Sequence, residues 1–142
     1  MAPIDRYLIP DAGAEISLAK NAAPKSISDS DQVILLKRQD YQTAVKGTNG
    51  SSVWCCDPGP RGSTVRSFGN RGIWSPICFN APAARTYLPR IIVKSRLALA
   101  AKFKTQIAEA IRATLDKGEL PTLEIGAMCY MMSQDGHLSD RD

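Results

Sequence analysis

The chain has 142 residues, which is enough for one domain with a single core and too few for two domains of ordinary size. Its hydrophobic content of 44% and charged content of 23% are typical of soluble globular proteins, and they exclude general disorder and fibrous repeats. No apolar run approaches the roughly 20 residues that a membrane-spanning helix needs. The sequence therefore predicts one domain over 1–142 with no membrane span.

The net charge of +4 conceals an uneven distribution along the chain. Residues 58–108 contain nine Lys and Arg side chains and no Asp or Glu, so the remainder of the chain carries a net charge of −5. This separation favours a positive surface for a polyanion or an acidic ligand. Arginines scattered over a solvated surface are the alternative, because charges close in sequence need not be close in space.

The N-terminal third predicts one helix and one buried strand. Asp11 is a candidate N-cap, Ile16 and Ala19 lie at helical spacing, and Pro24 ends the pattern. The run "QVILLKR" then has the length and the β-branched content of a central strand.

Residues 32–56 predict a three-stranded antiparallel meander. Asn49-Gly50 separates two strand-like runs and favours a type I′ hairpin turn, which places Val45 opposite Trp54. In this register the side chains of Cys55 and Cys56 point to opposite faces, so the two cysteines cannot bind one metal ion comfortably.

The C-terminal half predicts further strands near 77–79 and 91–99 and a helix over 105–117, with Gly118 as the residue just past its end. Residues 57–76 are expected to form an irregular basic loop, and residues 135–142 a polar tail. These elements together predict an α+β fold, with a small antiparallel sheet and the 105–117 helix packed on one face.

Four stretches carry a family resemblance: "AEISLAKNAAPKSIS", "YQTAVKGTNG", "PICFNAPAAR" and "GAMCYMMSQDGHLSD". They resemble a family of small, functionally uncharacterised, often exported bacterial proteins that share AEIxLAxxAAP, YxTAVKGxNG, CFNxP and GAMxYMMS segments. The resemblance implies no activity or cofactor. It implies a periplasmic or extracellular location if an export signal lies upstream, and a cytoplasmic location otherwise. It also implies a further C-terminal strand beyond Asp142.

The resemblance also bears on the cysteines. Relatives carry a cysteine three positions after the Asn-Gly pair, where this chain has Val53, and side-chain parity makes Cys55 the better counterpart. Because export implies an oxidising compartment, a disulfide between Cys55 and Cys78 is favoured, which would stabilise the fold by roughly 3 kcal/mol. Reduced, mostly buried thiols are the alternative. Cys56 and Cys129 are expected to be buried thiols in either case.

Metal and catalytic sites are weakly indicated. The cysteine spacing lacks a C-x₂-C pair, and Met128, Met131 and Met132 are expected to fill the core, so no metal and no cofactor are predicted. The single histidine, His137, would have to serve any thiol-dependent reaction of Cys129 or Cys56. The sequence therefore favours a protein without catalysis.

The loop at 58–74 is the candidate anion site. Glycines expose backbone N–H groups, arginines pair with phosphate oxygens, and aromatic rings stack on bases, which together suit a single-stranded nucleic acid. The candidate residues are Arg61, Arg66, Arg71, Phe68 and Trp74. A plain surface insertion is the alternative.

Three hypotheses for function follow. The first is a non-catalytic, exported structural or ligand-binding domain. The second is a binder of anions or single-stranded nucleic acid that uses the 58–74 loop. The third, with the least support, is a thiol-dependent enzyme. Ligand and oligomeric state are left open.

Overall fold

A computed structural model describes residues 8–55, 76–100 and 102–134. Within these ranges the protein has five helices and one five-stranded sheet, which confirms the predicted α+β class. The helices are α1 (Ala12–Lys20), α2 (Lys25–Ser28), α3 (Ala81–Thr86), α4 (Leu88–Leu99) and α5 (Lys104–Asp116). The strands are β1 (Gln32–Leu36), β2 (Tyr41–Val45), β3 (Ser52–Trp54), β4 (Ile77–Phe79) and β5 (Cys129–Tyr130).

The sheet is mixed, so the predicted antiparallel meander is wrong. Its strand order is β2-β1-β3-β4-β5, and β1 pairs antiparallel with β2 but parallel with β3. Consequently Val45 lies opposite Val33, and Trp54 lies opposite Ile77 on β4. The third strand crosses to the far side of β1 instead of returning along β2.

Local contacts at the start of β1 explain this crossing. The chain after β2 passes so close to β1 that a side chain at Gly47 would overlap the backbone nitrogen of Gln32. The Asn49 side chain donates to the Ile27 carbonyl at 3.0 Å and accepts the Ser51 N–H at 3.0 Å. Asn49 and the following glycine therefore anchor a crossover rather than a hairpin turn.

The segment predicted as a strand near 91–99 is helical, and lies within α4. Its buried residues, Leu88, Ile91, Ser95 and Ala98, recur with the three-to-four-residue spacing of a helix face. Pro89 lies in the first turn, where its missing N–H costs nothing. Ile91 to Val93 are β-branched and therefore favoured a strand. The helical spacing of the buried residues, however, continues past them to Ala98.

Helices cover both faces of the sheet. The face under α1, called the α1 face below, is lined by a buried cluster that comprises Ala19, Ala22, Ala23, Val33, Leu35, Leu36, Val53, Cys55 and Cys78. The opposite face, called the α4 face, is lined by Ile34, Trp54, Phe79, Ala83, Leu88 and Ile91. Coverage on both sides explains why the "QVILL" run is apolar without alternation.

Three of the other predicted elements are confirmed. Asp11 caps α1, β4 occupies 77–79, and α5 overlaps the predicted 105–117 helix, with Gly118 in the left-handed conformation after it (φ 69°). Across the described part of the chain, no helix is both long and apolar enough to cross a bilayer.

The C-terminal apolar segment corrects a further prediction. Met128, Met131 and Met132 are 44–60% exposed, and Cys129 is exposed as well. The methionines therefore do not fill the core, and Cys129 is not a buried thiol. β5 lies at the edge of the sheet, where its two residues pair on one side only.

Candidate functional site

Asp31 is a fully buried carboxylate on the α1 face, immediately before β1. Its Oδ1 accepts a hydrogen bond of 2.6 Å from the Asn49 side-chain amide, and its Oδ2 accepts one of 3.1 Å from the Cys78 thiol. Burial, followed by this hydrogen bond and the charge of Asp31, raises the pKa of Cys78 far above its usual range. Asp31 therefore joins the crossover to β4 and keeps the Cys78 thiol protonated.

Glu15 is the second buried carboxylate on this face. It projects from α1 toward the sheet, is 1% exposed, and its Oε1 accepts the Leu36 N–H at 3.3 Å. The Cys55 thiol lies 4.0 Å from the same oxygen. Burial raises the pKa of Glu15, while the Leu36 hydrogen bond and the charge of Lys37 act in the opposite direction.

No disulfide joins Cys55 and Cys78, so the structure does not contain the predicted disulfide. Val53 faces Cys78 across the β3–β4 pair, which places Cys55 on a diagonal to Cys78. Diagonal residues lie about 7–8 Å apart at Cα, whereas disulfides join Cα atoms separated by roughly 4.4–6.8 Å. Each thiol instead lies beside a carboxylate.

The described part of the chain bears on metal binding but not on the proposed thiol–histidine pair. No three His, Cys, Asp or Glu side chains within 8–55, 76–100 and 102–134 come together as a metal site. Cys56 and His137 lie outside the described residues, so the predicted thiol–histidine pair stays a prediction.

A cleft of about 480 Å³ opens beside the C-terminal end of α1. Its walls are Ser17, Lys20, Asn21, Ala23, Pro24, Lys25, Ser28, Asp29 and Met132. The Met132 N–H donates to the Ala22 carbonyl at 3.0 Å and fixes the segment after β5 against this end of α1. The cleft combines two ammonium groups and several hydroxyl and amide groups with a short apolar wall.

Ion pairs partly neutralise the basic middle segment. Arg85 pairs with Glu124 at 2.8 Å, and Arg96 pairs with Asp40 at 2.6 Å. Two arginines of the basic segment thus lie beside carboxylates from other parts of the chain, so positive and negative charges are less separated in the fold than in the sequence. The candidate anion residues Arg61, Arg66, Arg71, Phe68 and Trp74 lie outside the described residues, as does most of the predicted 57–76 loop and the 135–142 tail.

Sequence reasoning missed the structural residues that join three of the four quoted stretches. The Asn80 side chain caps α3 through the Ala83 N–H, donates to the Gly126 carbonyl at 2.8 Å and accepts the Met128 N–H at 3.1 Å. Met132 reaches Ala22 in the same way, through the backbone. The "CFNAP" and "GAM" stretches therefore hold each other in place.

Two signals in the sequence could have revealed the buried carboxylates. Glu15 precedes Ala19 by four residues, which places its carboxylate on the apolar side of the predicted helix. Asp31 directly precedes the apolar run of β1, where a charged side chain needs a buried partner or an exit to solvent. A charge on an apolar face is the informative departure from the pattern.

No protein-family model, curated protein or solved structure matches this chain. The family resemblance of the four stretches therefore stays a prediction.

Proposed function

We propose that the protein is a non-catalytic domain that binds a small acidic ligand in the cleft beside α1. The observation that supports this proposal is the composition of the cleft: Lys20 and Lys25 contribute positive charge, and Ser17 and Asn21 contribute hydrogen-bonding groups. Its volume lies in the range of small-molecule sites, roughly 300–1,000 Å³.

The charge balance of the cleft favours an anion. Asp29 is its one acidic wall residue, and it lies 3.9 Å from the Lys25 ammonium. Lys25 is about 90% exposed and Asp29 about 61% exposed, so the attraction between them is weak. Pro24 and Met132 add an apolar wall, which suits a carboxylate with a short hydrocarbon part.

The setting of Cys55 and Cys78 indicates that these two thiols are not nucleophiles, while the pairing of Cys129 or Cys56 with His137 stays a prediction. Nucleophilic cysteines need an exposed setting and a lowered pKa. Cys78 has the opposite properties, because burial and Asp31 raise its pKa. Cys55 is also fully buried.

A titration followed by amide chemical shifts tests the binding proposal. Hexanoate is the probe, and 1-hexanol, with the same chain length and no charge, is its control. We expect hexanoate to shift amides at 17–29 and 132. Lys20→Gln should weaken binding about threefold to fivefold, as expected for a partly exposed ion pair. Lys117→Gln, an exposed change after α5, should leave binding unchanged.

Two results would overturn the proposal. One is the absence of shifts at hexanoate concentrations up to about 10 mM, well above a millimolar dissociation constant. The other is an equal response to hexanol and hexanoate, which would show that the charge of the probe plays no part.

A further inference from the structure

Among the described residues, hydrogen bonds hold Glu15 through one of its two carboxylate oxygens. Its Oε1 accepts the Leu36 N–H, whereas its Oε2 is buried and has no hydrogen-bond partner among the described residues. A buried carboxylate with an unpaired oxygen is costly when ionised and much less costly when neutral. The interface between α1 and the sheet therefore contains a group whose charge state matters for packing.

The position of Glu15 follows from the mixed sheet. β3 pairs with β1 at Gln32 and Val33, and among the described residues no strand pairs with the later part of β1 on that side. The Lys37 N–H donates to Asp40 in the turn toward β2, and successive N–H groups of a strand point to opposite sides. The Leu36 N–H thus points away from β2, and Glu15 supplies the acceptor that a neighbouring strand would have provided.

In the part of the chain that the structure describes, few charged groups face Glu15 from the elements around it. After β1, Lys37 is the cation that favours the ionised form. From β3, the Cys55 thiol approaches the same oxygen as Leu36. On β4, the Cys78 thiol donates its hydrogen bond to Asp31. Burial outweighs these contacts and raises the pKa of Glu15 above 4.5.

We propose that Glu15 makes the seating of α1 pH-sensitive: its protonated carboxyl holds α1 on the sheet, and its ionised form loosens α1. The native state binds this proton more tightly than the unfolded chain does, so its contribution is complete below about pH 4.5 and is lost as the pH rises through the raised pKa of Glu15. Lys20 and Ser17 lie on α1, so, if the proposed binding function holds, affinity in the cleft falls over the same pH range.

Hydrogen exchange of the α1 amides tests this proposal without any ligand. After correction for the intrinsic pH dependence of exchange, protection of Ala12–Lys20 relative to β1 should fall as the pH rises from 4.5. The fall should be up to tenfold for each pH unit until the pH reaches the pKa of Glu15. In Glu15→Gln, protection should not vary with pH. Glu109→Gln, an exposed change on α5, should retain the wild-type profile.

The carboxyl of Glu15 can also be titrated directly by carbon NMR in the wild-type protein, which covers the case in which Glu15→Gln fails to fold. We expect a midpoint above the ordinary value for glutamate. A midpoint at or below that value, or an identical pH profile of α1 protection in wild type and Glu15→Gln, would overturn the proposal. Failure of hexanoate binding alone would leave this proposal standing, because neither measurement involves a ligand.

Discussion

On the α4 face, the Trp54 and Phe79 rings meet edge to face with centroids 4.6 Å apart, and Phe79 meets Tyr87 in the same way at 5.4 Å. On the α1 face, alanines bring the helix close to the sheet, and the buried side chains include Glu15, which contacts Leu36, and Asp31, which contacts Cys78. The first face is packed by large rings. The second combines small apolar side chains with buried carboxylates.

This difference separates two sources of stability. Aromatic packing depends on buried area and shape, and it varies little with pH. Buried carboxylates contribute only while their partners and protonation states are maintained. Substitutions on the α4 face should therefore have large effects that do not depend on pH, and those on the α1 face should act through specific contacts.

The largest effect is expected from Trp54→Ala. Trp54 is 2% exposed and its ring packs edge to face against Phe79, so its removal should lower the free energy of unfolding by about 4 kcal/mol. Chemical denaturation followed by circular dichroism measures the loss, which should be equal at pH 5 and pH 8.

Tyr87→Ala provides the matched control for this experiment. Tyr87 belongs to the same aromatic group but is 37% exposed, so its loss should be about 1 kcal/mol. Equal losses for the two variants, or a Trp54→Ala loss that changes strongly with pH, would contradict the separation between the two faces.

The next largest effect is expected from Gly47→Ala. A Cβ at this position would overlap the Gln32 nitrogen and lie 2.7 Å from the Asp31 carbonyl carbon, and both of these obstacles are backbone atoms. Because the crossover cannot relax without moving β1, we expect a loss of about 3 kcal/mol in unfolding experiments.

Gly118→Ala is the comparison for that glycine. Gly118 has a φ of 69°, but no atom lies within 4 Å of the position that a Cβ would occupy there. Only backbone strain therefore opposes the change, and the loss should be about 1 kcal/mol. A smaller loss for Gly47→Ala than for Gly118→Ala would show that the close crossing at β1 is not rigid.

The crossover also shows how far the sequence could predict the fold. Cap residues and spacing within one element identified α1 and α5, because those signals are local. Asn49-Gly50 has the sequence of a hairpin turn, but the side chain of Asn49 bonds to Ile27 and Asp31, which lie 18 to 22 residues away. Strand order depended on these distant partners, and a local pattern could not reveal them.

Thiol accessibility gives the third prediction. Cys129 is exposed, whereas Cys55 and Cys78 are fully buried on the α1 face. We expect iodoacetamide to label Cys129 at least about a hundredfold faster than the two buried thiols, a ratio equivalent to about 2.7 kcal/mol. Peptide mass spectrometry over a time course measures each rate.

The labelling control is the protein unfolded in denaturant without reductant. Both buried thiols should then react, because no disulfide joins them in the structure. If Cys55 and Cys78 stay unlabelled until a reductant is added, they form the disulfide that the family resemblance implied, and the pairing of each thiol with a carboxylate is wrong for the oxidised protein.

The candidate site was less accessible to sequence reasoning than the fold. The uneven charge along the chain indicated an acidic ligand for residues 58–108, whereas the cleft lies outside that segment and brings residues of α1 and α2 together with Met132, more than 100 positions further along the chain. Spacing along the sequence cannot indicate such a meeting. The methionines were expected to be buried, but they lie at or next to an edge strand. An edge strand leaves exposed the apolar side chains that neighbours of a central strand would cover.

The smallest effect is expected from Arg96→Gln, which removes an exposed ion pair between α4 and the turn before β2. The Arg96 hydrogen bond lowers the pKa of Asp40, so the pair stabilises the fold above about pH 3.8, and its contribution is lost as the pH falls through the lowered pKa of Asp40. Both side chains are at least 40% exposed, so the loss at pH 7 should be only about 0.5 kcal/mol. Arg112→Gln on α5 is the control, and unfolding in low and high salt is the measurement. Because the pair is in contact with solvent, high salt should remove the difference, whereas an undiminished loss would place this pair with the buried charges of the α1 face.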